Sequence, residues 1–152
     1  RLFISLRERS GLAYYVKTTA EFYSDSGYLS TQAGVPKGKA EEAVKIILSE
    51  YRRIASEDVS TEELARAKDV VSGRLLMRLE ASDEVASWYG RQAVLREHLS
   101  DPDEVEKKLR SLKVSDIRQA ARMIVKNNGL NLAIIGQIAS SEKKNLRAAL
   151  KL

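Results

Sequence analysis

Apolar residues fall on two different periods along this chain, and each change of period marks an element. Leu2, Phe3 and Leu6 recur at helical spacing until Ser10-Gly11 interrupts them, so Arg1 to Arg9 reads as the end of a helix. Leu12 to Phe22 is dense in aromatic and β-branched residues and reads as a strand. Ser24-Asp25-Ser26-Gly27 is a turn cluster, and Tyr28 to Val35 is a second strand, so the two are predicted to form an antiparallel hairpin. After Pro36-Lys37-Gly38 the period becomes helical, with Ala40, Val44, Ile47, Leu48, Tyr51, Ile54 and Ala55 along one face. Ser60 with Glu63 three residues on predicts a capping box, with Val59 stapled against Leu64. The helix they open runs to about Leu79 with Leu64, Ala67, Val71, Leu75 and Leu79 in a stripe. Ser82-Asp83-Glu84 and Asp101-Pro102 start two further helices. Ser115 is expected to cap one more, carrying Ile117, Ala121, Ile124 and Val125 and ended by Asn127-Asn128-Gly129. Leu130 to Ile135, an apolar run between glycines, reads as a buried strand, and residues 140–150 as a closing helix.

Strands and helices are thus segregated, which predicts an α+β fold and not the alternation of a doubly wound parallel sheet. The expected architecture is an antiparallel sheet with helices packed on one face. So few strands for so many helices suggest a partial unit of a two-layer α/β sandwich lacking its first strand. The chain opens on Arg1 inside a helical pattern, so residues 1–152 are expected to be a single domain that is incomplete at its N-terminal side.

Composition narrows the chemistry. The chain has 152 residues, 43% hydrophobic and 31% charged, an ordinary globular balance. It contains no cysteine, which excludes disulfides, thiolate metal sites and a cysteine nucleophile, and points weakly to a cytoplasmic location. The net charge of +5 is dispersed: Arg52-Arg53, Lys107-Lys108 and Lys143-Lys144 lie among acids, so no nucleic-acid partner is expected. No apolar stretch is long enough to span a membrane.

Candidate catalytic motifs fall away one by one. His98 is the only histidine, and neither H-E-x-x-H nor H-x-x-E-H occurs, so no metal is expected on this chain. No serine has a histidine in triad order. Gly34 and Gly38 lack the lysine and hydroxyl of a phosphate loop and mark a turn instead. The acid pairs Glu41-Glu42 and Glu62-Glu63 sit where helix dipoles favour them. Trp88-Tyr89 reads as packing. What is left is Arg7 and, seven residues later and across the Ser-Gly break, Tyr14.

Here the sequence resembles a known family. "RLFISLRERSGLAYYV" followed by "DSGYLSTQAGV" is similar to the C-terminal-type half of the pitrilysin/insulinase zinc peptidases, which include processing-peptidase-like proteins. "VSTEELARAKDVVSGRLLMRLE", "LKVSDIRQAARMIV" and "NLAIIGQ" resemble later elements of the same unit, in the same order. The resemblance implies paired α+β units, one carrying zinc in an H-x-x-E-H motif and the other facing it across a closed chamber with an arginine and a tyrosine. By motif those two are Arg7, expected to bind a substrate backbone carbonyl, and Tyr14, expected to donate its hydroxyl near the scissile carbonyl. Tyr15 is the rival position. Adjacent strand residues face opposite ways, and the motif spacing selects Tyr14.

A phenol suits that role because negative charge grows on the carbonyl oxygen under attack, and losing one such donor costs ~2.7–4 kcal/mol of barrier. A guanidinium supplies a fixed fork of donors for backbone positioning. The resemblance therefore implies the substrate-clamping half of a zinc metalloendopeptidase, inactive alone. Its partner would be a zinc-bearing unit in the same polypeptide or another subunit, in a homo- or hetero-dimer acting on peptides. A non-catalytic structural or assembly subunit of the same family is the alternative. A helical interaction module unrelated to peptidases would instead show helix at residues 12–35.

Overall fold

The computed structural model describes residues 1–95 and 98–152. The fold is α+β: one two-stranded antiparallel sheet, a short π-helical turn and six α-helices among the described residues. The elements are the π-turn Ile4–Arg9, β1 (Tyr15–Phe22), β2 (Gly27–Gly34), α1 (Ala40–Ser56), α2 (Thr61–Arg78), α3 (Ser82–Leu95), α4 (Pro102–Ser111), α5 (Val114–Ile124) and α6 (Ser140–Ala149). Two compact units are distinguishable, Arg1–Glu57 with Arg118–Leu152, and Asp58–Ile117. No helix among the described residues is long and apolar enough to cross a membrane.

In the first unit the predicted hairpin forms, with Thr18 opposite Thr31 and Val16 opposite Ala33. The face holding Val16 and Thr18 turns toward α1. Val16 and Val35 pack beside Ala43, Ile46 and Ile47, and the Thr31 hydroxyl lies 2.6 Å from the Tyr51 hydroxyl and 2.8 Å from that of Thr18. This polar relay ties α1 to both strands. A second apolar cluster joins Val44 and Leu48 of α1 to Leu146 of α6, with Leu130, Ile138, Leu150 and Leu152 around them. The Asn127 side chain clasps the Leu152 backbone from both sides: its Nδ2 donates to Leu152 O (3.0 Å), and Leu152 N donates to its Oδ1 (2.7 Å).

The second unit is held by helix ends. Ser60 and Asp101 cap α2 and α4, accepting from Glu63 N and Glu104 N, as their sequence positions predict. Lys68 Nζ donates to Arg110 O (2.8 Å) and Leu112 O (2.6 Å), satisfying carbonyls that α4 leaves open at its C-terminal end. Arg110 pairs with Asp69 of α2 and Glu106 of its own helix. Buried Gln92 bonds the Ser100 backbone both ways, fixing the approach to α4. Of the apolar stripe predicted for α2, Leu64, Leu75 and Leu79 are half-buried while Ala67 and Val71 are exposed, and the helix's buried residue is Ser72.

Three further expectations differ. The opening helix is a π-turn at its end. Ser115 does not cap α5. The helix starts at Val114, because the Asp116 carboxylate accepts from Lys113 N (2.8 Å) and sets the start earlier. Residues 130–135 do not form a strand. Neither β1 nor β2 pairs with them, Leu130 turns into the α1–α6 cluster, and Ile135 is fully exposed. An apolar run becomes a strand only when its backbone groups find a ladder partner.

Leu6, with no exposed surface, is the deepest side chain of the first unit. Leu6→Ala is expected to cost about 2–5 kcal/mol in urea unfolding, as a cavity opens against α1. In the second unit the Arg110 guanidinium, and then the Ser72 hydroxyl, hold the Glu106 carboxyl below its ordinary value of 4.5. A depressed carboxylate stabilises the fold above its unfolded-state value, and that contribution is lost as pH falls through the folded-state value. Urea unfolding followed by Trp88 fluorescence should therefore show stability dropping below about pH 4.5, with a shallower drop in Glu106→Gln.

Candidate functional site

The site is built on the turn between the opening helix and β1. At the π-turn the backbone widens, and the freed carbonyls find other donors. Ser10 Oγ donates to both Ser5 O and Leu6 O at 2.9 Å, and Gly11 N donates to Arg7 O at 3.1 Å. Gly11 has φ +62°, the left-handed conformation that a Cβ disfavours, and there the chain doubles back. Leu12 N (2.9 Å) and Ala13 N (3.1 Å) then both donate to Leu6 O. Arg7 follows Leu6 and Tyr14 follows Ala13, so the residues immediately before the two share a hydrogen bond. Tyr14 N donates onward to Gly34 O (2.9 Å), which carries the turn into the sheet ladder.

Both side chains point to solvent. Tyr14 is 72% exposed, which excludes a core-facing role, and its hydroxyl has no hydrogen-bond partner among the described residues. The Arg7 guanidinium lies over the Phe3 ring, 5.2 Å from its centroid, with no carboxylate in ion-pair range among the described residues. A phenol donor and an uncommitted guanidinium thus stand on one turn with a buried base. They can donate hydrogen bonds to carbonyl oxygens and cannot by themselves generate a nucleophile.

Tyr15 behaves differently. It opens β1, opposite Gly34, and its ring covers that glycine so closely that a Cβ there would lie 2.5 Å from Cε1. The strand predicted from Leu12 begins only at Tyr15, because Leu12 and Ala13 are buried and spend their N–H groups on Leu6.

Other surfaces among the described residues lack a comparable arrangement. His98 is exposed, with Nε2 3.6 Å from Glu104, and the described residues contain no group of three or more His, Asp or Glu placed to hold a metal. Among the described residues, no donor set fits a zinc ion. An open groove of about 570 Å³ in the second unit includes Lys68 and Arg110, but both cations are committed to carbonyls and carboxylates. Sequence reasoning passed over Glu50, which lies under the π-turn and accepts from Ser5 Oγ (2.8 Å). Its signal was a charge on an apolar stripe, three residues after Ile47 and four before Ile54.

The comparisons with known proteins converge. The family profile described as "Peptidase M16 inactive domain" matches residues 1–71. An uncharacterized zinc protease of Rickettsia bellii is 33% identical over 140 residues, covering 90% of this chain and 32% of that protein. The mitochondrial-processing peptidase subunit alpha of Bos taurus is 28% identical over 126 residues, 83% of this chain and 24% of its own length. A chain in a structure of Complex III2 from Candida albicans, with Inz-5 bound, superposes with a TM-score of 0.74 at 23% identity, covering 81% of this chain and 29% of that one. The chain spans about a third of the length of the first curated relatives it matches.

The two tyrosines should separate in stability measurements. Tyr15→Ala uncovers Gly34 and removes a cross-strand contact, and is expected to cost about 1 kcal/mol. Tyr14→Phe should leave the urea midpoint unchanged, because the hydroxyl has no hydrogen-bond partner among the described residues.

Proposed function

The chain belongs to the pitrilysin/insulinase family, and from that premise we propose that it is the substrate-binding, transition-state-clamping half of a zinc metalloendopeptidase. The observation that carries this reading is the pair on the turn. Tyr14 and Arg7 present side-chain donors with no polar partner among the described residues, and the residues just before them, Ala13 and Leu6, are joined through the Leu6 carbonyl. In the proposed role Arg7 holds a backbone carbonyl of the bound peptide. Tyr14 donates its hydroxyl to the scissile carbonyl oxygen, a contact that strengthens as charge accumulates there. On this reading the zinc belongs to another unit, in the same polypeptide or in a partner subunit, as the described residues offer no donor set for it. Peptide cleavage is therefore a property of the assembly of the two units.

A second reading has a specific observation behind it. The matching family profile is described as an inactive domain, which fits a structural or assembly subunit that contributes no donor to catalysis. Kinetics separate the two. In the full-length protein assembled with its zinc-bearing unit, Tyr14→Phe is expected to lower kcat by about 10²–10³-fold, since it deletes one transition-state donor and keeps the ring. Arg7→Ala should raise KM as well as lower kcat, because a contact to the bound peptide is lost. Wild-type kinetics in both variants would leave the structural-subunit reading standing.

A further inference from the structure

Glu50 is an unusual residue to find in the core of the first unit. Its residue is only 8% exposed, in a stripe that Ala43, Ile47 and Ile54 otherwise make apolar. Its Oε1 accepts from Ser5 Oγ (2.8 Å) and from Arg53 Nη1 (3.0 Å), while its Oε2 is buried with no hydrogen-bond partner among the described residues. A buried carboxylate loses hydration, and an unpartnered oxygen deepens that loss. An apolar side chain of similar volume often serves a core as well or better. Packing alone therefore does not account for a glutamate here.

Its partners suggest what does. Ser5 stands in the π-turn, next to Leu6 and two residues before Arg7. Leu6 sets how deeply the turn sits on α1, but an apolar contact is not directional and leaves rotation about the turn axis weakly determined. The Ser5–Glu50 bond is directional. With Leu6 it makes two anchors on neighbouring residues, and two anchors fix the rotation, hence the direction in which the Arg7 side chain leaves the surface. Arg53, which also reaches Glu57 Oε2 at 3.3 Å, holds the carboxylate in place from the other side.

We propose that Glu50 is a positioning residue for Arg7: through Ser5 it fixes the orientation of the π-turn that presents the guanidinium to the peptide. The proposal rests on the reading of Arg7 as a carbonyl clamp.

The test uses Glu50→Met, Glu50→Gln and Ser5→Ala in the full-length protein assembled with its zinc-bearing unit. Three readouts are taken: kinetics on an internally quenched fluorogenic peptide library, thermal unfolding, and amide hydrogen exchange at Leu12 and Ala13. Glu50→Met is expected to unfold at or above the wild-type temperature yet lose about 10–100-fold in kcat/KM, mainly through KM, with faster exchange at the two amides. Glu50→Gln retains an acceptor for Ser5 and should rescue most of the loss, whereas Ser5→Ala should reproduce it. In an Arg7→Ala background Glu50→Met should add little further loss. Wild-type KM and exchange in Glu50→Met overturn the proposal, as does a kinetic loss that persists undiminished without Arg7. If Arg7→Ala alone has wild-type kinetics, the clamp reading fails. The exchange at Leu12 and Ala13 then still decides whether Glu50 sets the turn.

Discussion

The Leu6 carbonyl and side chain together are the constraint on which the rest of the first unit depends. The side chain is wholly buried with Ala13 and Ala43, and the carbonyl accepts from the amides of Leu12 and Ala13 and from the Ser10 hydroxyl. One residue therefore joins the opening turn, the chain reversal at Gly11 and the start of β1 to helix α1. If the apolar contact were lost, the hydrogen bonds would be exposed to competing water. If the bonds were lost, the chain would lack the reversal that brings β1 back across α1. The two interactions support each other, as consistent local and tertiary choices do in a foldable sequence.

The proposed function draws on what this constraint leaves unspent. Arg110, Lys68 and Arg53 are committed to carboxylates or carbonyls that hold helices together. The Arg7 and Tyr14 side chains have no polar partner among the described residues, although the backbone beside them is bonded at Leu6 O, Arg7 O and Tyr14 N. A donor presented on a rigid base loses little to reorganisation when a carbonyl arrives, and such preorganisation makes a hydrogen bond count in a transition state. The same contrast explains why Tyr15 is a poor candidate: its ring already lies on Gly34.

Most elements governed by local chemistry were legible in the sequence, the start of α5, set by Asp116 and not Ser115, excepted, and elements governed by distant partners were not. Ser60 and Asp101-Pro102 announced their helices because a cap needs only an amide three residues away. The hairpin was legible from Ser24 to Gly27 and its flanking β-branched residues. Leu130 to Ile135 misled because its apolarity was real but a strand also needs a ladder partner, which no periodicity supplies. The π-turn was hidden because Leu2, Phe3 and Leu6 suit an ordinary helix equally well. Arg7 and Tyr14 were conspicuous only through a resemblance spanning several motifs, as their spacing is silent about chemistry. Glu50 was legible and overlooked: a carboxylate amid Ala43, Ile47 and Ile54 breaks the helical pattern.

The placement of Arg7 over Phe3 has a consequence for conformational entropy. A free arginine explores many rotamers, and immobilising such a side chain costs about 0.5–1.5 kcal/mol on binding. Resting on the Phe3 ring, worth about 0.5–1 kcal/mol at an exposed site, narrows that search before any ligand arrives. Tyr14, with two side-chain torsions on a base pinned to Gly34, has little freedom to lose in the first place. The two donors therefore resemble a half-closed hand more than a pair of loose tethers: on the proposed reading, a peptide carbonyl arriving at this turn would meet groups that have already given up much of their disorder to the fold.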